Sequence, residues 1–306
     1  MKLNTDIQVL ITVLVGFVFF LLLDYTVILG LLVFPFFIYF LLKIKSLSPN
    51  RFWIVIVIMA VGVFFVFSIM SFFGLIIAMF IVLLLERTLN GGYSQELTIV
   101  YTAFMIGLMI LASIISLQST HLLPSFAEIS SQVIDWYAGQ LKEVEAIVGP
   151  TIDMKVITQS VNQFFTTIPA QILVFGFFLA LYTVLIVRVL NPVGKVWHKR
   201  PFMYWSVPRF VAHLYFIGLL ISLFIGNTED ATFNVISNVM LLVEWALFIH
   251  GVAFAFYFMK KKKMHTAVIV LLMILVIIMR PLTIFIGFME LIFRIRLRME
   301  LSDGRK

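Results

Sequence analysis

The chain has 306 residues, 62% hydrophobic and only 12% charged, with a mean hydropathy of +1.12. Soluble domains are nearer half apolar and a quarter charged, so a water-soluble fold is excluded. The formal net charge of +7 does not signal nucleic acid, because Lys and Arg stand at the ends of apolar runs, and the absence of Cys excludes disulfides, thiol catalysis and thiolate metal sites.

Apolar runs predict membrane spans at 7–23, 26–42, 53–71, 73–86, 98–117, 170–187, 210–226, 233–259 and 266–293. The expected fold class is an all-α integral membrane protein, a polytopic bundle of about eight to ten spans. It divides into an N-terminal bundle (1–117), an exterior helical insert (118–169) and a C-terminal bundle with basic cytoplasmic loops (170–306). The first run has no small-residue cleavage site before the next span, so it reads as a helix and not as a signal peptide. Residues 53–86 are too long for one straight span, and Phe72-Phe73-Gly74 is the expected hairpin between two. Residues 266–293 are broken at Arg280-Pro281, where proline removes a helix hydrogen bond.

The 118–169 segment is polar and acidic in an otherwise apolar chain, with Glu128, Asp135, Glu143, Glu145 and Asp153 against Lys142 and Lys155. Its apolar residues recur at helical spacing, first Ile129, Val133, Trp136, Tyr137, Leu141, Val144 and Val148, then Ile157, Val161, Phe164, Phe165 and Ile168. That pattern predicts two amphipathic helices separated at Gly149-Pro150. They are either an interfacial brace or a lid over a cavity between spans. Trp136 and Tyr137 are its lid or interface residues, with polar-tipped rings suited to the headgroup level.

Charge at the span ends sets the orientation. Lys43, Lys45 and Arg51 put that loop in the cytoplasm, as do Arg188, Lys195, Lys199, Arg200 and Arg209 for 188–209, and the lysines at 260–263 for the end of the eighth span. The acidic residues 227–230 and the 118–169 insert fall outside. These assignments agree with alternation from a cytoplasmic N-terminus in a bacterial cytoplasmic membrane. A turn back at Arg280-Pro281 would return Arg294, Arg296 and Arg298 to the cytoplasm.

Ionisable groups at membrane depth are costly and are functional candidates. Glu244 stands near the middle of the eighth span, and Arg280 is its expected partner, as a helix-to-helix ion pair or as a ligand or proton site. Asn238 needs a partner and is a candidate for lining a polar path. His250, six residues past Glu244 and so about 120° away around a helix, points away from that site; it is either a packing or hydrogen-bonding residue or a ligand-binding one. The expected pair for Glu290 is Arg294, at i, i+4. Enzyme signatures are absent: Gly194-Lys195 lacks the rest of a phosphate-binding loop, HExxH and GxSxG do not occur, and the five His do not cluster. The expectation is a non-enzyme with no cofactor and no metal.

Further segments carry a resemblance. They are Leu31-Leu32-Val33-Phe34-Pro35, Tyr137-Ala138-Gly139 followed by Ile168-Pro169-Ala170, Trp205-Ser206-Val207-Pro208, and His250-Gly251-Val252-Ala253 leading to Gly287, Glu290 and Phe293-Arg294. Together they resemble the YybS-like family of multi-spanning bacterial membrane proteins, although a Glu stands at 290 where Asp is more usual. The family is similar in turn to the substrate-binding membrane subunits of energy-coupling-factor vitamin transporters. This resemblance implies capture of a small molecule and delivery to a separate ATP-driven module. The first span departs from it, because Gly16 is alone among bulky residues where those subunits carry small residues at four-residue spacing. The alternative is a scaffold or accessory protein of the cell envelope. Expected partners are therefore the lipid bilayer, an unidentified small-molecule substrate, and either a transporter module or envelope proteins.

Overall fold

The computed structural model describes residues 5–148, 153–225 and 231–303, with the side chains of 142–148, 225, 231, 302 and 303 left aside. Among the described residues there are thirteen α-helices, one 3-10 turn and no β-strand. The helices are α1 (Thr5–Tyr25), α2 (Val27–Leu47), α3 (Pro49–Val66), α4 (Ile69–Asn90), α5 (Gln95–Ser119), α6 (Phe126–Val148) and α7 (Met154–Thr166). There follow α8 (Ile168–Leu190), α9 (Phe210–Ile225), α10 (Ala231–Lys261), α11 (Thr266–Ile278), α12 (Arg280–Phe293) and α13 (Ile295–Asp303). Seven of these are long and apolar enough to cross a membrane, and the bent pair α11–α12 makes an eighth if taken as one span. The fold is all-α and polytopic. The described part of helix α9, 16 residues, is about 24 Å long against a hydrocarbon core of about 30 Å.

The chain forms two compact units, the first from residues 1–120 and 172–199, the second from 121–171 and 200–306. In the first unit, Phe19 and Phe37 stack at 5.0 Å between α1 and α2, with Phe20, Phe52 and Met59 closing a fully buried core. Helices α5 and α8 touch backbone to backbone: a Cβ on Gly176 would lie 2.8 Å from the Ala103 carbonyl oxygen and 3.1 Å from Gly107 N. Glycine is what allows helices to approach this closely inside a bilayer.

The break in 53–86 falls at Phe67-Ser68, five residues before the expected Phe72-Phe73-Gly74 hairpin. The reason lies in polar capping. Asp24, at the end of α1, accepts from Ser68 N (2.9 Å), Ser68 Oγ (2.6 Å) and Ser71 Oγ (2.8 Å), and Ser68 Oγ also accepts from Ser71 N. A remote carboxylate thus satisfies the first turn of α4, so the helix starts there and runs through Gly74 unbroken.

The basic loop after α8 is also pinned. His198 O accepts from Gln95 N (2.9 Å), the buried Trp197 indole donates to Thr88 Oγ1 (3.1 Å), and Lys195 Nζ donates to Asn90 Oδ1 (2.8 Å). Arg188 donates to the Gln95 side chain at the same place.

In the second unit, α6 and α7 fall within the acidic insert and pack on each other, with Ser130 Oγ donating to Asn162 Oδ1 at 2.9 Å. Both amphipathic helices are present, although Gly149-Pro150 and the side chains of Val144 and Val148 lie outside the described residues, as do the acidic residues 227–230. Helix α10 is the axis of the unit. Val211 and Ala212 of α9 pack on Val243 and Leu247 of α10 and on Ile284 and Leu291 of α12. Gly251 and Gly287 let α10 and α12 cross closely, a Cβ on Gly287 meeting Gly251 N at 3.0 Å and Gly251 Cα at 3.2 Å.

The expected break at Arg280-Pro281 is present as a 99° bend between α11 and α12. Arg280 lies beside Glu244, Glu290 beside His250 and Glu300 beside Tyr257, so α12 and α13 run parallel to α10 toward its Lys260–Lys261 end. Helix α11 starts from that same end. The 99° bend, with its tip at Arg280, is that of a broken span or a re-entrant loop.

Candidate functional site

Two polar clusters stand along α10. The first is Glu244 with Arg280. Glu244 Oε2 accepts from Arg280 Nη2 at 3.5 Å, and the guanidinium lies 4.6 Å from the centre of the Trp245 ring. The two side chains are 34% and 36% exposed, and Arg280 Nε has no hydrogen-bond partner among the described residues. Arg280 also opens α12, with Pro281 at the first helical position, so the positive end of a broken helix adds to the charge. The expected partnership of Glu244 and Arg280 is present, in a loose and incompletely bonded form.

The second cluster was not evident from spacing. His250, 1% exposed, pairs through Nε2 with Glu290 Oε2 of α12, and Arg296 Nε of α13 lies 3.2 Å from Glu290 Oε1. The expected Glu290–Arg294 pair does not form. Arg294 adopts the left-handed conformation (φ 51°), which ends α12 and swings α13 so that Arg296 reaches Glu290. Arg296 donates further to Met203 O (2.9 Å) and Trp205 O (3.1 Å), and its guanidinium lies over Phe254 and Tyr257. One buried arginine thereby ties α10, α12, α13 and the 202–205 turn together. Tyr257 OH donating to Glu300 Oε1 (3.2 Å) extends the tie by one turn.

His250 and Glu244 are separated around the helix as the rotation of six residues requires. Asn238 is used by backbone: its Oδ1 accepts from Ala170 N (2.9 Å), and its Nδ2 donates to Thr166 O and Asn234 O, both at 2.8 Å. It staples the α7–α8 corner to α10. Trp136 and Tyr137 project from α6, 61% and 40% exposed, with their rings in edge contact at 4.9 Å. His250 was legible as a hydrogen-bonding histidine, but its partner lies 40 residues away. The available signal was a glycine next to His250 and another one helical turn before Glu290.

A groove of about 320 Å³ opens beside the second cluster. Glu290 and Arg296 form its inner wall, Arg209, Arg294 and Glu300 its rim, and Val207, Leu291 and Leu297 part of its apolar side. Glu244 is not among its lining residues.

No curated protein and no solved structure matches this chain. A family profile does match, over residues 9–292, a stretch that holds all or most of every candidate span together with Glu244, His250, Arg280 and Glu290, and by that match the chain belongs to the family described as Predicted membrane protein (DUF2232).

Proposed function

We propose that this multi-pass protein captures a small charged solute within the bacterial cytoplasmic membrane and takes part in its transport. The observation that carries the reading is the Glu244–Arg280 pair at the tip of the α11–α12 bend. A carboxylate and a guanidinium at membrane depth are too costly to leave a third of their surface facing lipid tails. That surface calls for water or a polar solute. Broken helices with charged tips near the bilayer midplane are how many transporters hold their substrates, and non-helical backbone at that depth belongs where it lines a cavity or is packed in protein. A solute with both an anionic and a cationic group would bond the exposed part of the Arg280 guanidinium and the second oxygen of Glu244. The resemblance to vitamin-capturing subunits supports the same direction and makes an ATP-driven module the natural partner.

The test is purification of the native protein in mild detergent, followed by mass spectrometry of small molecules that come with it. A charged solute that disappears in Glu244→Gln and Arg280→Gln, with the fold intact, is the expected result. A solute retained by both variants, or none at any purification mildness, overturns the reading. The second reading, an envelope scaffold, is favoured by the exposed Trp136–Tyr137 pair on α6. It predicts loss of a cross-linked protein partner in Trp136→Ala with solute content unchanged.

A further inference from the structure

We propose that the groove between the 202–209 segment and the α12–α13 corner binds a phosphate-bearing anion. The site is separate from Glu244 and Arg280, and it stands or falls independently of the transport reading. The groove holds three arginines, Arg209, Arg294 and Arg296, and two carboxylates, Glu290 and Glu300. The nominal charge is close to balanced, so the question is which groups are already engaged. Glu290 is engaged by His250 and Arg296, and Glu300 accepts from Tyr257. Arg296 is spent on carbonyl oxygens and on Glu290. Arg209 and Arg294 are both exposed, and their guanidinium groups have no hydrogen bond or ion pair among the described residues. What remains open in the groove is therefore Arg209 and Arg294 against the single exposed carboxylate of Glu300, a net positive balance.

The shape supports the same class of ligand. A volume of about 320 Å³ sits at the small end of pockets that hold organic ligands, about 300–1,000 Å³. Tyr204 and Ser206 also line it, and neither hydroxyl makes a hydrogen bond among the described residues, so both are free to donate to phosphate oxygens. Guanidinium forks match phosphate geometry through paired N–H bonds, which a single ammonium does not. Arg296, 9% exposed and bonded to Met203 O and Trp205 O, holds the wall that carries these hydroxyls in a fixed shape. The left-handed backbone at Arg294 (φ 51°) is costly for a non-glycine residue, and here it turns that residue to the groove rim.

The groove opens at the end of α10 that carries Lys260 and Lys261, with Leu291, Leu297 and Val207 along one side. Basic pockets beside spans on the cytoplasmic face bind anionic headgroups, and the apolar side would take the start of an acyl chain. A phosphate monoester from solution has the same recognisable chemistry.

The full-length protein in phosphatidylcholine nanodiscs, with and without phosphatidylglycerol, is one arm of the test, read by native mass spectrometry of retained lipid. The other arm titrates detergent-solubilised protein with glycerol 1-phosphate and follows thermal stability. Each arm compares wild type with Arg209→Gln/Arg294→Gln and with Lys262→Gln, a charge-loss control not in the groove lining. Losing a charged hydrogen-bonding partner weakens binding by about tenfold or more, so the double variant should lose the ligand while the control keeps it. Retention of phosphatidylglycerol alone assigns the site to a lipid headgroup. A glycerol 1-phosphate response alone assigns it to a soluble phosphate ester. No binding in either arm, or equal binding by the double variant and wild type, overturns the proposal.

Discussion

Arg296 is the side chain on which the second unit most depends. It is buried, it meets Glu290, and it bonds carbonyl oxygens at 203 and 205 that have no other described partner. Removing one member of a buried ion pair leaves the other charge uncompensated, at a cost of about 3–5 kcal/mol. Arg296→Met should therefore lower the melting temperature of the purified protein sharply. Because Arg296 and Glu290 share one network, the Arg296→Met/Glu290→Gln double variant should be less destabilised than the two single losses summed. Strict additivity, or a wild-type melt for Arg296→Met, would mean the cluster carries no such weight. Glu244→Gln should behave in the opposite way, with a small effect on melting and a large one on solute content. Spacing in the sequence revealed the Glu244–Arg280 pair because both are rare charges in apolar runs. It did not reveal Glu290–Arg296, because a left-handed residue at 294 changes the helical register between them, and no local pattern announces such a residue when it is not glycine.

Helix positions were legible wherever hydropathy alone decides them, and they shifted wherever a distant polar group decides. The α3–α4 break is the clearest case: Gly74 looked like the turn, yet Asp24 caps Ser68 and Ser71 from another helix. Asp24→Ala should unsatisfy that first turn, and loss of a helix cap costs about 0.5–2 kcal/mol. Hydrogen exchange should rise at 68–71 first, and protection there equal to wild type would refute the capping role. The α10–α12 crossing is a second element-scale dependence. A Leu at 287 would overlap the backbone of Gly251, and overpacking costs about 1–3 kcal/mol or more where backbone must move. Gly287→Leu should melt earlier and disturb the His250–Glu290 contact, whereas Gly139→Leu, with nothing near its Cβ, should be tolerated. Equal melting of the two variants would show that the crossing is not tight.

At the scale of the whole molecule, the sequence argued for strict alternation of spans, and the contacts bear on it one unit at a time. In the first unit, Arg51 reaches Asp6 (2.5 Å), Asp24 reaches Ser68, and Gln95 N reaches His198 O. In the second, Asn238 near the start of α10 reaches Ala170 near the start of α8, and Glu300 reaches Tyr257. Every one of these joins chain ends that alternation assigns to the same face, provided α11–α12 is re-entrant. The concentration of Lys and Arg at 188–200 and 260–263 makes the cytoplasmic face the expected one for those ends. The chain has no Cys, so single cysteines can be placed one at a time without a background. Tyr137→Cys should react with a membrane-impermeant maleimide in intact cells. Lys195→Cys, Lys262→Cys and Glu300→Cys should react only after permeabilisation. The informative position is Glu300: a ninth span crossing straight through would expose it outside while Lys262 stayed protected, and the hairpin with its tip at Arg280 requires the two to behave alike.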